Sequence, residues 1–116
     1  MPHVQIVGSC QVRDLCAPLS QVLASTPPQV LKVQNAYLAA DGSQLLLEAV
    51  VVEGFLRQSF FLLVRQETTG VLIRCHPFSP PQKTDGVKRL IALVARRCLE
   101  LCPGSRAGNT NLTPYL

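Results

Sequence analysis

Cys75 and His76 stand side by side, a thiol next to the chain's most plausible base. A cysteine nucleophile needs a base within hydrogen-bond reach, an orienting acid and an electropositive, partly exposed setting. Neighbouring residues of an extended chain point to opposite faces, so these two are badly placed to meet. Arg74 alone offers thin electrostatic support, and His3 is the only other histidine. The expectation is structural: a strand-end histidine and an inert thiol. Cys98 and Cys102 have a spacing that suits zinc and shares one helical face, but that face is apolar. They read as small core residues, with Cys10 and Cys16 as the remaining partners a metal would need. Neither a metal nor a cofactor is expected.

The carboxylates are Asp14, Asp41, Glu48, Glu53, Glu67, Asp85 and Glu100. Asp14 and Asp85 sit where helices begin, and Asp41 and Glu67 where the chain turns. Glu48 differs, because it interrupts an apolar strand, where an unpaired carboxylate is costly; an arginine partner at an interface or sheet edge is the expectation. No phosphate-cradling glycine loop and no nucleophile elbow occurs. An enzyme is therefore not expected. Lys83, Lys88, Arg89, Arg96, Arg97 and Arg106 gather in the last third of the chain. Of these Lys88, Arg89, Arg96 and Arg97 are candidate contacts for an anion or nucleic acid. Aromatic residues are only 5% and tryptophan is absent, which leaves few platforms for stacking bases.

The elements that must carry these residues follow from periodicity. Val4 to Val7 reads as a strand. A helix is expected from an Asp14 N-cap, with Val12, Leu15, Cys16, Leu19, Val22 and Leu23 at helical spacing, Pro18 in its first turn, and Thr26-Pro27-Pro28 ending it. Gln29 to Ala39 alternates as a strand, and Asp41-Gly42 is expected to make a tight hairpin with both residues at positive φ. Gln44 to Glu53, Arg57 to Gln66 and Val71 to Cys75 are the next strands, separated by Gly54 and by Glu67-Thr68-Thr69-Gly70. Pro77, Pro80 and Pro81 make a loop. A last amphipathic helix starts at Thr84 or Asp85, presents Val87, Leu90, Ile91, Val94, Cys98 and Leu101 on one side, and stops at Pro103-Gly104.

This is an α+β order, β-α-β-β-β-β-α, with a four- to five-stranded antiparallel sheet and two helices on one face. It resembles the TATA-binding-protein-like and helix-grip folds in element order. Residues 1–103 are expected to form one domain and 104–116 a flexible C-terminal tail. The N-terminus MPHVQIVGSC lacks a basic segment followed by a long apolar core, so no signal peptide is read and the chain is expected in the cytoplasm. The odd count of 5 cysteines then argues for reduced thiols. Glu48, Glu53 and Arg57 interrupt the longest apolar runs, so no membrane span is expected.

The chain is 47% hydrophobic and 16% charged, against about 25% charged in typical domains. Its net charge of +4 is ordinary for a small soluble domain. The stretch from Leu45 to Val64 is apolar on both faces of its two strands. An antiparallel sheet with one wet face should instead alternate apolar and polar residues, and two helices cover one face only. Leu46, Glu48, Val50, Val52, Phe60, Leu62 and Val64 are therefore the candidate interaction face. The expected function is a non-catalytic protein-interaction, assembly or regulatory module, pairing with a protein partner or as a homodimer. The alternatives are nucleic-acid binding through the basic last helix and binding of a small apolar ligand.

Overall fold

A computed structural model describes residues 1–116. The chain runs β1 (His3–Val7), α1 (Val12–Leu19), β2 (Leu23–Thr26), β3 (Gln29–Leu38), β4 (Gln44–Glu53), β5 (Leu56–Glu67), β6 (Gly70–Cys75), α2 (Asp85–Leu101), β7 (Arg106–Thr110) and a 3-10 turn at Thr113–Tyr115. Seven strands form one antiparallel sheet in the order β2-β3-β4-β5-β6-β1-β7, curled into a half-barrel. The α+β class holds. The four- to five-stranded sheet and the order β-α-β-β-β-β-α do not, because β2 and β7 were hidden in segments read as helix and tail.

Pro18 explains the first miss. It lies at the end of α1, not in its first turn. With no N–H to give the Asp14 carbonyl, it helps hold the helix to two turns. Asp14 sits inside that helix while Gln11 occupies the N-cap without a side-chain bond. Gln66 reaches from β5 to serve the start of α1 instead, accepting from Val12 N–H at 2.9 Å through Oε1. Val22 is buried and Leu23 is 63% exposed, the alternation of a strand edge. The second miss is the tail. Residues 106–110 pair with β1, Thr110 Oγ1 donates to the His3 carbonyl at 2.7 Å, and Leu112 is buried, so the segment finishes the sheet rather than leaving it.

The meander is as expected in outline and different in its turns. β3 and β4 are joined through Ala39–Ser43, where only Gly42 has positive φ (76°). Asp41 instead accepts from the backbone N–H and the hydroxyl of Ser43 at 3.0 and 2.7 Å. These bonds, the backbone one foremost, lower its pKa. A register shift between Val33 and Asn35 changes the phase of β3, so Ala36 faces inward with Leu47 and Tyr37 faces outward beside Leu46.

Both helices pack on the concave side over one core. It joins Leu45, Leu47, Ala49 and Val51 of β4 to Phe60, Leu62 and Val64 of β5, with Leu15 of α1 and Leu90, Ile91 and Val94 of α2. Thr84 caps α2, its hydroxyl accepting from Val87 N–H at 3.3 Å. Glu53 adds a second acceptor at this helix start, bonded to the Thr84 hydroxyl and to Gly86 N–H at 2.9 Å. A Cβ at Gly86 would lie 2.6 Å from the Glu53 carboxyl carbon, so the helix can approach β4 this closely only with glycine there. Cys10 and Cys102 form a disulfide that ties the β1–α1 loop to the end of α2. The expectation of five reduced thiols is thereby corrected: three are free.

Candidate interaction surfaces

Cys75 and His76 diverge as strand geometry requires. Cys75 is buried in the core, and desolvation pushes its thiol up to about 11. The His76 ring lies beside the Phe78 ring at a centroid distance of 5.0 Å, and its Nδ1 accepts from Phe78 N–H at 3.2 Å. Cys98 is buried and raised to about 12 by desolvation, while Cys102 is spent in the disulfide, so this pair does not offer two thiolates. These are poor nucleophiles at neutral pH. Cys16, the third free thiol, is half-buried.

The candidate sheet face does not hold together as one surface. β4 and β5 pair with Glu53 opposite Leu56, which sets Leu47 against Leu62, Ala49 against Phe60 and Leu45 against Val64. Phe60, Leu62 and Val64 therefore line the sealed core. Leu46, Glu48, Val50 and Val52 lie on the outer, convex face, where their β5 partners are Leu63, Phe61, Ser59 and Arg57. Phe61 and Leu63 are the apolar residues that belong with them.

This outer face is largely covered by its own long side chains. Val50 is 3% exposed between Lys32 and Ser59, and Leu63 is 6% exposed between Leu46 and Arg74. Aliphatic stems of lysine and arginine can cover apolar neighbours, and Arg74 lies low enough over this face that its Nε is buried without a hydrogen-bond partner. Glu48 meets no arginine. Asn35 Nδ2 and the Tyr37 hydroxyl donate to its carboxylate at 3.3 and 3.4 Å. A shallow depression of about 240 Å³ runs past Glu48, Ser59, Phe61 and Ser79.

The strongest exposure lies at one end of the sheet, around the β4–β5 turn and the proline-rich loop. Phe55, in the two-residue turn between β4 and β5, is fully exposed, and Phe78 in the proline-rich loop is 89% exposed. Leu56, next to Phe55, and Ser79, next to Phe78, line one cavity of about 450 Å³ with Arg57, Ser59 and Pro80. Gln58 pins the proline loop there, its side chain donating to the Gln82 carbonyl at 3.3 Å and accepting from Gln82 N–H at 2.8 Å. An aromatic residue at a two-residue turn, and another between prolines, was the available signal.

The basic candidates share the exposed side of α2, although Lys88 is half-buried. Arg89 pairs with Asp85 at 2.6 Å and Arg97 with Glu100 at 3.0 Å, whereas Arg96 has no carboxylate partner. The Tyr115 hydroxyl also donates to Asp85 at 2.9 Å. That bond, with Arg89 behind it, holds the Asp85 carboxyl below the usual range. No helix is long and apolar enough to cross a membrane. No protein-family model, curated protein or solved structure matches the chain.

Proposed function

We propose that the protein is a non-catalytic interaction module that pairs with a second copy of itself through the β4–β5 turn and proline loop at one end of its sheet. The observation that carries this reading is the exposure of Phe55 and Phe78 beside Leu56, at one end of a sheet whose core is complete without them. Fully burying a phenylalanine is worth about 1.5–3 kcal/mol, and isologous pairing places each such patch against its own copy. The buried, proton-retaining thiols of Cys75 and Cys98 support a role without catalysis. A cytoplasmic setting belongs to the same reading, with the Cys10–Cys102 bond as the feature that pulls against it, since reducing compartments keep thiols reduced.

Light scattering across a concentration series tests the proposal. The wild-type chain dimerises, and a Phe55→Ser, Phe78→Ser double variant weakens the dimer by about 100-fold, or two steps of 1.4 kcal/mol. Both side chains lie outside the core, so unchanged thermal unfolding of the diluted variant verifies its fold. A wild-type monomer throughout the millimolar range, or a variant that dimerises as well as the wild type, overturns the reading. Nucleic-acid binding draws less support, because Arg89 and Arg97 are already engaged by carboxylates.

A further inference from the structure

The half-barrel has two open edges, and they differ. β7 carries Arg106 and pairs with β1 through a register shift between Val4 and Ile6, both of which discourage a further strand. β2 carries no charge. Its backbone ladder shows which groups are free: Val33 N–H donates to the Val22 carbonyl at 2.9 Å, and antiparallel bonding alternates along the strand. In the register Leu23–Lys32, Ala24–Leu31, Ser25–Val30 and Thr26–Gln29, Ala24 and Thr26 therefore turn their backbone groups toward β3. Leu23 and Ser25 turn theirs outward to the open edge.

Beside that edge lies a groove between β2 and α2. One part, of about 400 Å³, is lined by Ala24, Thr26, Leu31, Leu93, Arg89 and Arg96. A second part, of about 320 Å³, continues past the same Leu93 to Leu23 and the paired Arg97 and Glu100. A strand added to β2 would extend the curl toward α2. Alternate side chains of that strand would then drop into the groove, where they meet Leu93 and the unpaired Arg96.

We propose that this edge and groove bind an extended acidic segment of a partner protein by strand addition, with a carboxylate of the segment paired to Arg96. Outward N–H and C=O groups at alternate β2 positions match a peptide main chain rather than a phosphodiester. Arg96 supplies a cation that nothing in the chain neutralises. A second copy docking edge to edge is disfavoured, because it would set one arginine-lined groove against another. The site is separate from the patch at the β4–β5 turn and proline loop, so the Phe55→Ser, Phe78→Ser variant retains it.

The test is an NMR titration with an alternating glutamate–valine heptapeptide. Binding shifts the amide signals of Leu23 and Ser25 and weakens as salt is raised. Arg96→Glu, an exposed substitution, weakens it by about 10-fold, the loss of roughly one charge contact. Ser25→Pro deletes an outward N–H without touching the β2–β3 ladder, and it also weakens binding by about 10-fold. A heptapeptide N-methylated at alternate residues, or one with lysine for glutamate, fails to bind. The proposal is overturned if the glutamate–valine peptide does not bind, if the N-methylated peptide binds equally well, or if Ser25→Pro has no effect. It is equally overturned if an oligouridylate shifts the α2 arginine signals with Leu23 and Ser25 unmoved while the peptide does nothing.

Discussion

Replacing Gln66 should expose how the start of α1 is held to the β5–β6 hairpin. The Gln66 amide satisfies buried backbone groups on both sides of it, in the β1–α1 connection and in β6. Oε1 accepts from Val12 N–H at 2.9 Å, and Nε2 donates to the Cys10 and Gly70 carbonyls at 2.9 and 3.0 Å. Cys10, Val12 and Gly70 are all buried, so water does not readily replace the amide. Each bond is worth about 0.5–1.5 kcal/mol, and Gln66→Leu should cost about 2–4 kcal/mol. For a chain of 116 residues that lowers the melting temperature by about 8–16 °C. Gln66→Glu is the sharper probe. Its second oxygen would face two carbonyl oxygens, which disfavours the charged form and raises the carboxyl's folded pKa above its unfolded value of about 4.3. A raised folded pKa means that the protonated acid is the better-tolerated form. The cost of the substitution relative to the wild type is therefore least below the unfolded pKa and grows as pH rises through the folded one. Urea titrations of both variants across pH 3–8 measure this. A Gln66→Glu protein that matches the wild type at neutral pH, with the same pH profile, would refute the network.

Three further outcomes follow from the cysteines and from Asp85. In the folded, oxidised protein a thiol reagent labels Cys16 alone, unfolding adds Cys75 and Cys98, and only reduction releases Cys10 and Cys102, as mass spectrometry of labelled peptides will read. Reduction also lowers stability by about 2–4 kcal/mol, because the bridge closes a loop across 92 positions of sequence. The Asp85 carboxyl has a depressed folded pKa, owed first to the Tyr115 hydroxyl. Its contribution is present above the unfolded value of about 3.9 and lost as pH falls through the lower folded one. Acid thus frees the Thr113–Tyr115 turn, seen as faster amide exchange at Tyr115, and Asp85→Asn removes that acid dependence.

The meander and α2 were legible because their signals are local. The apolar, β-branched run in Gln44–Glu53, the glycine at Gly54 and the Thr84 cap each act within a few residues. β2 was not, since Val22 and Leu23 satisfy helical spacing as well as strand alternation, and only pairing with β3 decides between them. β7 was not, since Arg106–Thr110 has no apolar periodicity and owes its place to β1, a hundred residues away in sequence. The Cys10–Cys102 bond is likewise a consequence of topology: β1 and the end of α2 meet only after the whole sheet has closed between them.

The misassigned face comes down to the parity of one turn. A two-residue connection at Gly54-Phe55 sends odd-numbered residues of β4 opposite even-numbered residues of β5. Grouping Leu46 and Val50 with Phe60 and Leu62 would require a turn of odd length. With the parity set, the larger apolar rows, Leu45–Val51 and Phe60–Val64, go together into the core, and the outer face keeps Leu46, Val50, Val52, Phe61 and Leu63. Cross-strand lysine and arginine neighbours then cover much of what remains. The chain accordingly needs less outside cover over the middle of its sheet than its composition implies, and the unmet apolar surface moves to the turn and the proline loop. This is why an association test belongs at Phe55 and Phe78, and why substituting Leu62 or Phe60 would report on folding instead.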